Sequence, residues 1–324
     1  FTGILINTGL NFPASELGTT FGPTLARPEE TQMIGAFIVF AIFLVWLARS
    51  HFKQVTVNAF RFQNNGNNYL ADKISFWGTG FGIIALSVWF YMHHVPFLQN
   101  IILILFFIVF TMVATRVVCQ GGVTYFTLTV APLDAVNTIF GFKMFSQVSI
   151  LLAGISQKVL FVDLRESVAP SILHTLKISR RISNKQAVIC SIFIVLVICL
   201  AVSAVSMILL CYKYGIRELQ LDWATRTTVS MYNNIMPLLQ GTVQQGDSIK
   251  YFTLAGAVIM GLLVFSYHRF YWWPLHPIGY LMAYSSAMRI LWFSFFAGWL
   301  VNTLCIRYGG IGLFKKMKLF FAGL

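Results

Sequence analysis

From Ala187 to Tyr212 the chain reads AVICSIFIVLVICLAVSAVSMILLCY, with no Asp, Glu, Lys, Arg or His in it. Without polar alternation this run is no barrel strand, and as a helix, at about 1.5 Å per residue, it crosses the roughly 30 Å of bilayer hydrocarbon with some tilt. Lipid offers the backbone no hydrogen-bond partner. Whatever else lies at membrane depth must therefore be helical, or be enclosed by protein or water. Composition agrees: 57% of residues are hydrophobic, 10% are charged and the mean hydropathy is +0.75, against about a quarter charged in soluble domains. The expected fold class is all-α, a polytopic helical bundle integral to the membrane.

Apolar runs recur at 33–48, 74–92, 97–115, 144–162, 187–212, 251–267 and 288–306, giving about seven plain transmembrane spans. Two further stretches are apolar on average but broken. Residues 121–141 carry Gly121, Gly122 and Pro132, and residues 273–287 carry Pro274 and Pro277 around His276. The organisation expected is an extramembrane N-terminal stretch 1–30, a membrane bundle 31–212, an extramembrane loop 213–248 and a C-terminal membrane domain 249–324. The first residue is Phe1 and the closing KLFFAGL is too short to span. The chain is thus expected to be a piece of a longer protein, with no signal peptide at its start.

The net charge of +13 is a topology signal rather than a nucleic-acid footprint, because Lys and Arg gather on the cytoplasmic side of membrane proteins. Arg49, Lys53, Arg61 and Lys73 mark one inner loop, and Arg165, Lys177, Arg180, Arg181 and Lys185 a second. Arg307, Lys315, Lys316 and Lys318 mark a third. The link at 93–96 has no Lys or Arg, and the 213–248 loop is mixed in charge, which suits the outer side. Crossing parity then requires an even number of passes between Arg116 and the second inner loop, and between Arg269 and Arg307. Each interval is filled by one broken segment and one plain span. The same plan occurs twice, as a hydropathy-level internal repeat.

A proline inside a helix removes one N–H and frees a carbonyl, and in lipid both need partners. Neighbouring helices repair many single kinks. Two breaks at matching places instead resemble the interrupted helices that line transporter sites near the midplane. Three ionisable residues fall within apolar segments and are the substrate or proton-coupling candidates: Asp134, His276 and Arg289. Asp134 is expected to pair with His276 or Arg289 if the two halves face each other. The plainer roles are a backbone-bonded interfacial histidine and an arginine that snorkels to the headgroups.

Catalytic and cofactor chemistry is not expected. Cys119, Cys190, Cys199, Cys211 and Cys305 form no close pair and read as small hydrophobes, so no metal site is assigned. No span carries a central histidine for haem. H-E-x-x-H, Walker A and G-x-S-x-G are all absent from the sequence.

The stretches YHRFYWWPLHPIGYLMAYSS and LWFSFFAGWLVNTLCIRYGG resemble the C-terminal domain of a family of large bacterial polytopic membrane proteins of unknown function. Trp272, Trp273, Pro274, Leu275, His276, Pro277, Gly279, Trp292, Phe293, Trp299, Arg307, Tyr308, Gly309 and Gly310 carry the resemblance. GAFIVFAIFLVWLARSHF and ATRVVCQGG are similar, more loosely, to the preceding domain of that family. The resemblance implies the bacterial inner membrane, longer relatives, and a layout similar to oligopeptide and metal-chelate transporters. It implies no activity. Two functions are carried forward. One is a secondary transporter or transporter-like protein with its site between 121–141 and 273–287. The other is a non-catalytic scaffold subunit of a membrane complex, held by other membrane subunits or by copies of itself.

Overall fold

A computed structural model describes residues 28–60, 67–122, 128–141, 144–161, 167–178, 185–215, scattered residues between 229 and 240, and 248–323. Residues 1–27 of the expected N-terminal stretch 1–30, most of the 213–248 loop, and Arg61, Arg165, Arg180 and Arg181 lie outside the described residues, while residues 28–30 open the first helix. Every regular element among the described residues is helical. In chain order they are α1 (Pro28–Phe60), α2 (Asn67–Met92), α3 (Phe97–Gly121), α4 (Pro132–Phe140), α5 (Gln147–Phe161) and α6 (Val168–Ile178). There follow α7 (Lys185–Tyr214), α8 (Ser248–Arg269), α9 (Pro277–Met282) and α10 (Ser286–Gly323).

Six of these helices are long and apolar enough to cross a membrane: α1, α2, α3, α7, α8 and α10. The chain is accordingly a multi-pass membrane protein by its helices. The 144–162 stretch, expected as a plain span, holds the 15-residue α5, about 22 Å long and short of a full hydrocarbon crossing on its own.

The bundle is centred on α1, α3 and α8, which run in the same direction. Gly35 of α1 lies against Thr253 and Ala257 of α8, and further along the two helices Phe43 meets the His268 ring at 5.1 Å. Phe37 stacks on Phe110 of α3 at 5.2 Å and 7°. α2 returns between them as a hairpin. At one end Asn58 Nδ2 donates to Asp72 Oδ2 at 2.8 Å, and at the other Asn100 Nδ2 donates to the Ser87 carbonyl at 2.8 Å. The tight link 93–96 needs a left-handed residue, which His94 supplies at φ 62°. One continuous apolar core joins α1, α3 and α8 to Val130, Ala135 and Ile278–Tyr284.

α1 and α8 make the most extensive contact of any two helices. Between apolar helices in lipid the hydrophobic effect gives little attraction, so close van der Waals packing must supply it, and small residues permit the approach. Gly35 and Gly256 are those residues: a Cβ on either would press into backbone atoms of the opposite helix.

Both interrupted segments turn at the same end of the bundle. α3 stops at Gly122, whose φ of 63° is left-handed and whose N–H caps the Val118 carbonyl at 3.1 Å. The chain then comes back along α3. Phe140 at the end of α4 meets Phe106 at 6.1 Å, and Gln99, near the start of α3, bonds both Met144 O and Ser146 N. Likewise α8 ends at Arg269, the chain turns through 270–276, and α9 runs back into the core, where the Tyr280 hydroxyl reaches Gln32 Oε1 at 3.4 Å. This shared direction is the one charge parity requires of α1, α3 and α8. Pro132 and Pro277 are buried in the first turn of α4 and α9, while Pro274 is exposed in the turn.

Candidate functional site

The start of a helix exposes N–H groups that need partners wherever water is excluded. Proline at the first position of α4 and of α9 removes one such donor and pre-sets the backbone. Several of the other donors here meet side chains. Asp134 Oδ2 accepts from the Ala131 N–H at 3.2 Å, and Gln157 Oε1, from α5, accepts from the Leu133 N–H at 2.9 Å. At α9, His276 Nδ1 accepts from the Ile278 N–H at 3.1 Å. Two of the three ionisable candidates are therefore built into the starts of the short helices α4 and α9. The third, Arg289, stands near the start of α10, and its side chain lies outside the described residues.

The structure brings the end of α3, next to the first segment, against the second segment at His276. Asp134 bonds the backbone of its own segment, whereas His276 Nε2 meets the side-chain amide of Gln120 at 3.2 Å. Gln120 is the residue before Gly121, so the end of α3 and the start of α9 touch across 156 residues of chain. Since Nδ1 accepts, the neutral ring carries its proton on Nε2, and the Gln120 carbonyl oxygen is the group that must face it. The ring packs edge-on to Tyr267 at 4.6 Å.

His276 lies outside the six spans. Burial first, then the nearby charge of Arg116 and that of His268, hold its pKa below the ordinary histidine value. A histidine whose folded pKa is depressed takes up a proton more readily on unfolding. Its stabilising contribution is therefore complete above the unfolded pKa of about 6.5 and is lost as pH falls below it. Wild-type protein should lose thermal stability in detergent between pH 7.5 and 5.5. His276→Asn, which keeps a capping side chain without a titrating ring, should lose measurably less. Equal losses in the two proteins would remove His276 from that pH response.

Deeper in the bundle, α4 carries a polar pair one turn apart. Asp134 is 8% and Asn137 2% exposed. Phe140 contacts Phe106, about 14 Å along α3 from its start, so the preceding turns of α4 lie near the middle of α3. There neither amide atom of Asn137 has a hydrogen-bond partner among the described residues. Asn137 was legible only as a polar residue three positions after Asp134; Gln120 and Gln157 gave no signal in the sequence beyond being polar residues in apolar surroundings. No group of three or more His, Cys, Asp or Glu side chains among the described residues is arranged to hold a metal ion.

A cavity of ≈720 Å³ opens elsewhere, between α1, α2, α3, α5 and α6. It is apolar along most of its length and carries Thr115, Arg116, Cys119 and Ser156 among its lining residues.

A family model described as a family of unknown function, DUF6785, matches residues 1–324. No curated protein and no solved structure matches the chain.

Proposed function

The chain belongs to the DUF6785 family, and we propose that this member is the membrane portion of a secondary transporter or a transporter-like protein, with its site between segments 121–141 and 273–287. The observation that carries this reading is Asn137. A primary amide buried in a bilayer-spanning bundle with no partner costs about 1–3 kcal/mol, and such groups are retained where water, an ion or a substrate supplies the missing bonds. Its place near mid-depth, on an interrupted helix one turn from a carboxylate, is where transporters place substrate and coupling-ion sites. The fuller architecture in this reading is about seven plain spans with α5 and α6 completing one crossing, two re-entrant segments as a repeat, and residence in a bacterial inner membrane. The layout shared with oligopeptide and metal-chelate transporters suggests peptides or chelates as the first substrates to try.

Full-length protein in sealed vesicles tests this by uptake of labelled oligopeptides and metal chelates. Asp134→Asn and His276→Ala are each expected to lower flux at least tenfold at unchanged reconstitution. Undiminished flux in both variants, or none in the wild type across both classes, would sink the assignment.

A second reading is supported by α7 and α10. No part of the most apolar window of either is buried, so both offer whole spans to lipid or to other subunits. As a scaffold, the protein would purify from gentle detergent as an assembly in which these helices become protected from lipid-phase labelling.

A further inference from the structure

The ≈720 Å³ cavity is a trough along α3, lined from Ile104 near the start of that helix to Cys119 near its end, a length of about 22 Å. One leaflet of hydrocarbon is only ~15 Å deep. Its walls are Leu44 and Phe52 of α1, Trp89 of α2, Ile108 of α3, and Leu160 and Leu173 of α5 and α6. Arg116 is its only charged lining residue among the described residues, at the end where α1, α3 and α8 terminate. Among the described residues no carboxylate lies within ion-pair distance of Arg116, and its side chain is exposed.

We propose that this trough holds one acyl chain of an anionic phospholipid from the leaflet at the Arg116 end, with the lipid phosphate on the Arg116 guanidinium. The chemistry is complementary at both ends. An apolar slot longer than one leaflet accepts a chain that passes the midplane and reaches the Trp89 and Phe90 end. A guanidinium with no acidic neighbour binds phosphate oxygens in a planar, two-point geometry. A zwitterionic lipid fills the slot equally well but brings a cationic group toward Arg116, so the headgroup charge sets the preference. The trough lies apart from the transport site proposed above, although the Arg116 charge also reaches His276; lipid quenching and vesicle flux are separate readouts, so either proposal can fail alone.

Trp89 provides the readout. Full-length protein is reconstituted in vesicles of phosphatidylcholine and phosphatidylglycerol with matched chains, one or the other dibrominated on its acyl chains. The quenching present in wild type and absent in Trp89→Phe isolates the trough from the other tryptophans. Phosphatidylglycerol is expected to quench this component with a relative affinity about fivefold or more above phosphatidylcholine. Arg116→Gln should bring the ratio near one, and Arg116→Lys should keep part of it. High salt should erode the wild-type ratio, because an exposed arginine is screened; this arm needs no variant to fold. Equal quenching by the two lipids in wild type, or a preference that survives both Arg116→Gln and high salt, would overturn the proposal.

Discussion

Adding a single methyl group at Gly256 or at Gly35 is expected to destabilise the bundle more than any comparable change elsewhere. A Cβ at Gly35 would press on the Thr253 carbonyl oxygen and sit 2.8 Å from Ala257 N. A Cβ at Gly256 would press on the Gln32 carbonyl oxygen and sit 2.6 Å from its carbonyl carbon. These are backbone atoms of a rigid helix and cannot rotate aside, so relief comes only by separating α1 from α8. Overpacking of this kind costs about 1–3 kcal/mol or more, and here it opens the interface that lipid-exposed helices hold by close contact alone. The damage should spread, because Gln32 also receives the Tyr280 hydroxyl of α9. Gly261 is the control: it lies on α8 with open space around its would-be Cβ, and alanine there should be neutral or stabilise by up to ~1 kcal/mol. Thermal unfolding of the three alanine variants in detergent, followed by loss of the monodisperse chromatographic peak, separates them. If Gly256→Ala melts with Gly261→Ala, the close crossing is not what holds the two helices.

None of that crossing was legible in the sequence. Gly35 is followed by Ala36 and Gly256 sits between Ala255 and Ala257, small residues that allow close packing, but nothing in a single chain says which faces meet across more than 200 residues. What was legible followed from the solvent. The runs at 33–48, 74–92, 97–115, 187–212, 251–267 and 288–306 all became long helices, because lipid leaves the backbone no other choice. Basic residues at the inner ends implied that α1, α3 and α8 share a direction, and the side-chain contacts at both ends of the bundle agree. Pro132 and Pro277 were legible as interruptions, yet their role as the first residues of the short helices α4 and α9 depends on partners from elsewhere, Gln157 at one and the neighbouring His276 at the other. The same limit applied to Asp134 and His276. Both stood out by the cost of a titratable group in an apolar segment, but the backbone N–H groups they cap, that of Ala131 for Asp134 and that of Ile278 for His276, follow from the turn geometry at each proline.

Asn137 distinguishes a site from a scaffold most sharply, because stability and function should move in opposite directions when it is changed. Leucine has nearly the same shape as asparagine and no polar atoms. At an ordinary buried position with satisfied bonds the exchange strands the partners and destabilises; here no partner is bonded to either amide atom, so none is stranded. Asn137→Leu should therefore raise stability, by about 1–3 kcal/mol on the cost of an unsatisfied buried amide, visible as a higher melting temperature in detergent. If the amide is kept for a substrate or a coupling ion, the same variant should lose at least tenfold of vesicle flux, since interactions made at a preorganised polar position in a low-dielectric interior are worth more than in water. Asn137→Asp would restore polarity but place a second carboxylate one turn from Asp134, and like charges that close raise the pKa of one of them; flux should then return only in part and become dependent on pH. A variant that is more stable and equally active would show that the amide serves no ligand. A variant that is less stable would show that it already has a partner, and the case for transport would lose its main support.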